Sequence, residues 1–148
     1  MTQYVTPVYA LPLLASGQAQ KEISHNEALI LIDALLGGVI ENALLSEPPD
    51  APAPGALWLV AEGASGAWAG ESGRLALWTQ GGWRFVSPRI GCRFFDKSRH
   101  IILCLYEYGW NTPISLNLPS GGGVIDAEAR ATLANIKDIL ISLGLAVP

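Results

Sequence analysis

Charge is scarce in this chain. Only 15% of its 148 residues are charged, against roughly 25% in typical soluble domains. Nine Lys and Arg against 13 Asp and Glu leave a formal charge of −4. The cations Arg84, Arg89, Arg93, Lys97 and Arg99 are scattered through strand-like sequence and form no stripe. A mildly acidic chain without a basic stripe has no electrostatic hold on a phosphate backbone, which argues against a nucleic-acid partner. Histidine occurs twice, at His25 and His100, and cysteine twice, at Cys92 and Cys104. None of these pairs has the spacing of metal ligands, so no metal and no other cofactor is expected. The cysteines are expected as buried thiols, not as a disulfide. Long hydrophobic runs are also missing. The longest, Ala28 to Ile40, has 13 residues and carries Asp33, whereas a membrane span needs about 20. The start, MTQYVTPVYALPLL, has no basic region and contains Pro7 and Pro12, so no signal peptide is expected and synthesis is placed in the cytoplasm.

Enzyme fingerprints are absent as well. There is no nucleophile elbow, phosphate loop or dinucleotide motif, and the glycines at 121 to 123 lead to Asp126 and not to Lys-Ser or Lys-Thr. Adjacent residues on a helix point about 100° apart, so Ser24 and His25 make no nucleophile–base pair. Nothing points to the paired acids of a glycoside hydrolase. The chain is expected not to be an enzyme.

What is abundant is apolar surface, half of all residues. One core of this size does not absorb so much, and burial between identical subunits is the expected outlet. The pattern predicts an α+β chain in three parts. Residues 1–46 hold an arm and an assembly helix, 47–118 a small antiparallel β domain, and 119–148 a Gly-rich hinge with a C-terminal helix.

The arm, residues 1–17, has two prolines and no helical period, which fits an extended segment that lies along something else, often a neighbouring subunit. Ser24 with Glu27 three residues on reads as a capping box that opens a helix running to about Asn42. Ala28, Leu31, Ile32, Leu35 and Val39 form one face, and further apolar residues lie on the others, so burial on several sides is expected. Gln18, Gln20, Lys21, His25 and Asn26 then stand at the join of arm and helix as hydrogen-bonding groups for assembly.

Four prolines in SEPPDAPAPG (46–55) make a linker. ALWLVA, CRFFD, HIILCLYEY and WNTPISLNL read as strands, and RLALWTQGGWRFVS as a hairpin turning at Gln80-Gly81-Gly82. Asp126 caps the last helix and Gly144 closes it. On that helix Ala129, Leu133, Ile136, Leu140 and Leu143 recur at spacings 4, 3, 4, 3, a heptad seam two repeats long. Of the five tryptophans, Trp58, Trp78 and Trp83 alternate with apolar residues as core strands do. Trp68, in the loop EGASGAWAGESG, and Trp110, after Tyr108-Gly109, are the better candidates to stack on a sugar.

The segments TPVYALPLLASGQAQKEISHNEALILIDAL, PPDAPAPGALWLVAEGASGAWAG and LALWTQGGWRFVSPRIG, in that order, resemble the DUF2793 family from about Thr6 to Gly91, and more loosely to Trp110. Glu22 stands where the family pattern has a His, so no role for a histidine carries over to that place. The tail from Gly121 is similar to the helical tails of phage-like fibre proteins. The resemblance implies a structural part of a prophage or gene transfer agent particle, a spike or fibre base, with no catalytic residues to transfer. It implies a homotrimer, as fibres usually are, or a pentamer at a capsid vertex, with capsid, spike or fibre proteins as partners. The alternative is a carbohydrate-binding module for host surface polysaccharide.

Overall fold

The computed structural model describes residues 4–15, 17, 21–111 and 113–148. Gln18 and Gln20, and the side chain of Lys21, lie outside the described residues. The chain is α+β, and it divides into two compact units, Met1–Arg89 and Ile90–Pro148. The division falls inside the 47–118 stretch expected as one β domain.

The first unit opens with the arm, which is not extended. It folds back on itself as a tight loop. Val5 bridges Pro12 in antiparallel fashion, Thr6 N–H donates to the Leu11 carbonyl at 2.9 Å and Leu13 N–H to the Tyr4 carbonyl at 2.9 Å. The Thr6 hydroxyl, buried, accepts Leu11 N–H at 2.8 Å.

Helix α1 spans Lys21–Gly37. It begins three residues before Ser24, so Ser24 lies within the helix and is not its cap. The side chain that reaches back is Glu22, which accepts Gly17 N–H at 3.2 Å, while Glu27 points to Arg84. The helix also stops short of Asn42. Gly38 takes φ +59°, the left-handed turn that ends helices and that only glycine adopts without penalty. The β-branched pair Val39–Ile40 then forms strand β1. Glu41 N–H donates to the Leu57 carbonyl and Leu59 N–H to the Asn42 carbonyl, at 2.8 and 3.2 Å.

Strands β2 (Leu57–Leu59), β3 (Leu75–Thr79) and β4 (Gly82–Val86) form an antiparallel sheet in the order β2-β3-β4. Thr79 pairs with Gly82, so the hairpin turn is Gln80-Gly81. Leu57, Leu59, Leu75 and Leu77 share one face and Trp58 and Ala76 the other, as the period of two requires. All six are buried. A strand covered on both sides reads as the continuous run Leu-Trp-Leu-Val.

In the second unit, β5 (Arg93–Asp96), β6 (Ile101–Tyr106) and β7 (Gly109–Trp110) pair antiparallel in sequence order. The fully buried Asp96 staples the β5–β6 turn. It accepts Ser98 N–H at 2.9 Å, the Ser98 hydroxyl at 2.7 Å and Arg99 Nε at 2.8 Å. The expected strand through 110–118 shrinks to β7, because Asn111 turns its side chain back onto β6, donating to the Ile102 carbonyl at 3.2 Å and accepting Cys104 N–H. Cys104 is a buried thiol on β6, and the Cys92 carbonyl accepts Leu105 N–H beside it at 3.0 Å. The Tyr106 phenol, hydrogen-bonded to Cys104, is held above its ordinary ionisation range.

Helix α2 spans Ala127–Ser142, with Asp126 accepting Ala129 N–H at 2.8 Å as its cap. Gly144 takes φ +71° after its end, and a Cβ there would stand 3.1 Å from the His100 carbonyl and the Ile102 nitrogen. No residue of α2 is buried. Leu133 and Ile136 are exposed and Leu140 is half-buried. The heptad seam is therefore exposed except at Leu140.

Candidate functional site

The most structured polar chemistry in the first unit lies where the arm meets α1. Asp33 is completely buried. Its two carboxylate oxygens accept Val8 N–H at 2.7 Å and Tyr9 N–H at 2.8 Å, the two amides at the tip of the arm loop. Nearer the start of the helix, Asn26 makes a second clamp. Its Oδ1 accepts Leu14 N–H at 2.9 Å and its Nδ2 donates to the Leu14 carbonyl at 3.0 Å, as a neighbouring strand would. Hydrogen bonds to a charged partner contribute about 1.5–3 kcal/mol each and neutral ones about 0.5–1.5. The clamps thus outweigh the left-handed conformation of Ala10, φ +54°, which costs roughly 1–2 kcal/mol.

Glycine makes room for the tip. A Cβ on Gly55, whose φ is +84°, would stand 2.6 Å from Pro7 Cβ, inside any tolerable contact. The arm loop is therefore gripped between α1 and the proline-rich segment of its own chain.

Beside the clamp lies a groove of about 440 Å³. Its floor and sides are Val5, Pro7, Leu13, Ile30, Leu31 and Pro54, with Tyr4 at one side. Glu27, Arg84, Thr79, Gln80 and Gly81 supply the polar groups. Glu27 and Arg84 form an ion pair at 3.2 Å, both half exposed.

The residues expected at the join are thus distributed over three roles. Asn26 holds the arm, Glu27 lines the groove, and Ser24 and His25 are exposed on α1. Asp33, the strongest clamp, is legible in the sequence only as the one charge in an apolar run. Arg84 gives no sequence signal, because its partner is 57 residues away, and nothing marks Thr6 until the arm is seen to fold back on itself.

The helix face expected to be buried is largely the outer one. Asp33 and Ala34 are buried, whereas Ala28, Ile32, Leu35 and Val39 are exposed and Leu36 is 67% exposed. Of the two tryptophans proposed to meet a sugar, Trp68 is not available. It is 0% exposed, in a 3-10 turn Gly66–Trp68, and joins Trp58, Trp78 and Trp83 in one aromatic cluster with ring centroids 4.9–6.2 Å apart. Its indole N–H has no partner among the described residues, at a cost of about 1–3 kcal/mol. Burying 150–250 Å² of ring at ~25 cal/mol per Å² returns roughly 4–6 kcal/mol, so burial wins. Trp110 is half-buried, tilted against Phe94 at 6.2 Å.

Among the described residues no three His, Cys, Asp or Glu gather to hold a metal ion, and no helix is long and apolar enough to cross a membrane. Fold and site define a small α+β protein in which two polar side chains of one helix, Asp33 and Asn26, hold the chain's own arm. The chain belongs to DUF2793, a family of proteins of unknown function, whose sequence profile matches residues 25–111. That span runs from just before the Asn26 clamp to the Asn111 that closes β6. No curated protein matches the chain.

Proposed function

We propose that this chain is a non-enzymatic, self-assembling structural part of a phage-like particle, a spike or fibre base in which three copies join. The observation that carries the reading is apolar surface laid out in helical seams without a partner among the described residues. On α2, Leu133 and Ile136 are exposed at the seam positions. Ala28, Ile32 and Leu35 on α1 follow the same 4, 3 spacing and are exposed. A period of 3.5 residues suits another helix in knobs-into-holes packing. A two-heptad coil is weak alone, and a second seam on the same chain adds to its affinity. Placement on a particle, with capsid, spike or fibre proteins as neighbours, rests on what the sequence resemblance implies, a part of a prophage or gene transfer agent.

Light scattering at micromolar concentration tests the assembly. A defined oligomer is expected, a trimer first, and a monodisperse monomer would sink the reading. The double variant Leu133→Glu/Ile136→Glu is expected to lower the mass while leaving the fold of the protomer intact, since neither side chain is buried. Electron microscopy of particles made with and without the gene tests the location.

A further inference from the structure

The groove over Ile30 and Leu31 is the candidate site whose lining selects a ligand chemistry. Its volume of about 440 Å³ falls in the range of roughly 300–1,000 Å³ typical of binding sites. The floor is aliphatic, so it takes hydrocarbon side chains. It offers a sugar little to stack on, because among the described residues Tyr4 is the one aromatic that lines it.

The polar wall is the informative part. Glu27 and Arg84 stand side by side, half exposed, with no net charge. A ligand with a single charge is attracted by one and repelled by the other at nearly the same distance. A group with a donor and an acceptor side by side suits both. The wall is also unsaturated. The Arg84 guanidinium reaches Glu27 at 3.2 Å, the Trp83 carbonyl at 3.3 Å and the Gly81 carbonyl at 3.5 Å. These are long contacts for a group with five N–H donors. Thr79, by contrast, is committed to Gly82 and Gly81.

We infer that this groove binds a short uncharged peptide segment with aliphatic side chains, one main-chain amide lying across the pair so that its carbonyl accepts from Arg84 and its N–H donates to Glu27. The inference stands apart from self-assembly, since none of the seam residues Ala28, Ile32, Leu35, Leu133 and Ile136 lines the groove.

The test is an NMR titration of the methyl-labelled full chain with N-acetyl-leucyl-leucine amide, alongside octanoate, octylamine and maltose. The capped dipeptide is expected to shift the methyls of Leu13, Ile30 and Leu31 saturably. Arg84→Met is expected to weaken it at least about tenfold, the effect of one hydrogen bond at the weak end of the range for a charged partner. Glu27→Gln removes the balancing charge and is expected to let octanoate bind where the parent chain does not. The proposal is overturned by any of three results. These are no saturable shift with the dipeptide, the same methyls moving with octanoate, octylamine or maltose at equal or lower concentration, or Glu27→Gln leaving the ranking of probes unchanged.

Discussion

Replacing Asp33 with Ala strikes the centre of the arm clamp. Two hydrogen bonds to a carboxylate, at 2.7 and 2.8 Å, are lost at a fully buried site. At about 1.5–3 kcal/mol each their loss sums to roughly 3–6 kcal/mol. Two effects reduce the sum. Removing a buried charge also removes its desolvation cost, and the Val8 and Tyr9 amides rehydrate once the tip lifts, since both residues are already about half exposed. The expected loss is therefore near the lower end, about 2–4 kcal/mol. For a unit of this size, 1 kcal/mol corresponds to about 4–8 °C, so melting of the first unit falls by roughly 8–32 °C. Asp33→Asn keeps one acceptor but turns its amide toward the second N–H, and about half the loss is expected. Two measurements check this together: thermal unfolding, and hydrogen exchange of the Val8 and Tyr9 amides. If the Asp33→Ala variant melts within about 2 °C of the parent, or exchange at the two amides is unchanged, the clamp is not the holder of the arm.

The second clamp responds more gently. Asn26→Ala is expected to cost about 1–3 kcal/mol from two neutral hydrogen bonds to Leu14, and its combination with Asp33→Ala to cost less than the sum in urea titrations, because both release the same segment. Trp68→Ala empties a site of 0% exposure packed against Trp58 and Trp83 and is expected to cost about 3–5 kcal/mol by calorimetry. Melting like that of the parent would mean that the aromatic cluster is not the core of the first unit. Gly144→Ala puts a methyl group 3.1 Å from backbone atoms at a left-handed φ, with an expected loss of about 1–3 kcal/mol. Gly123→Ala, in open space, is the control expected to stay within about 0.5 kcal/mol in the same unfolding assay.

Much of the local structure is readable because its causes are local. The Gln80-Gly81 hairpin, the turn after Asp96, the Asp126 cap and the Gly144 stop each follow from residues within a few positions of one another. The start and end of α1 mislead for the same reason. Ser24 and Glu27 satisfy a capping pattern, yet Lys21 and Glu22 already extend the helix. The apolar period runs on past Gly37, although Gly38 is the stop. Which side of α1 faces inward is not legible at all. A helix apolar nearly all round has little contrast between its faces, and the choice is made by Asn26 and Asp33, whose partners Leu14, Val8 and Tyr9 lie 12, 25 and 24 residues away.

The junction of arm and helix shows the division most clearly. By itself the sequence determined that polar groups gather before an apolar helix, that the arm cannot be helical, and that catalytic and metal motifs are missing. Those statements rest on residue types and short spacings. Only the tertiary structure decided that the arm closes on its own chain, that Asp33 is its latch, and that Glu27 meets Arg84 across a groove. Such choices depend on hydrogen bonds between distant segments, whose geometry exists only once the chain has folded.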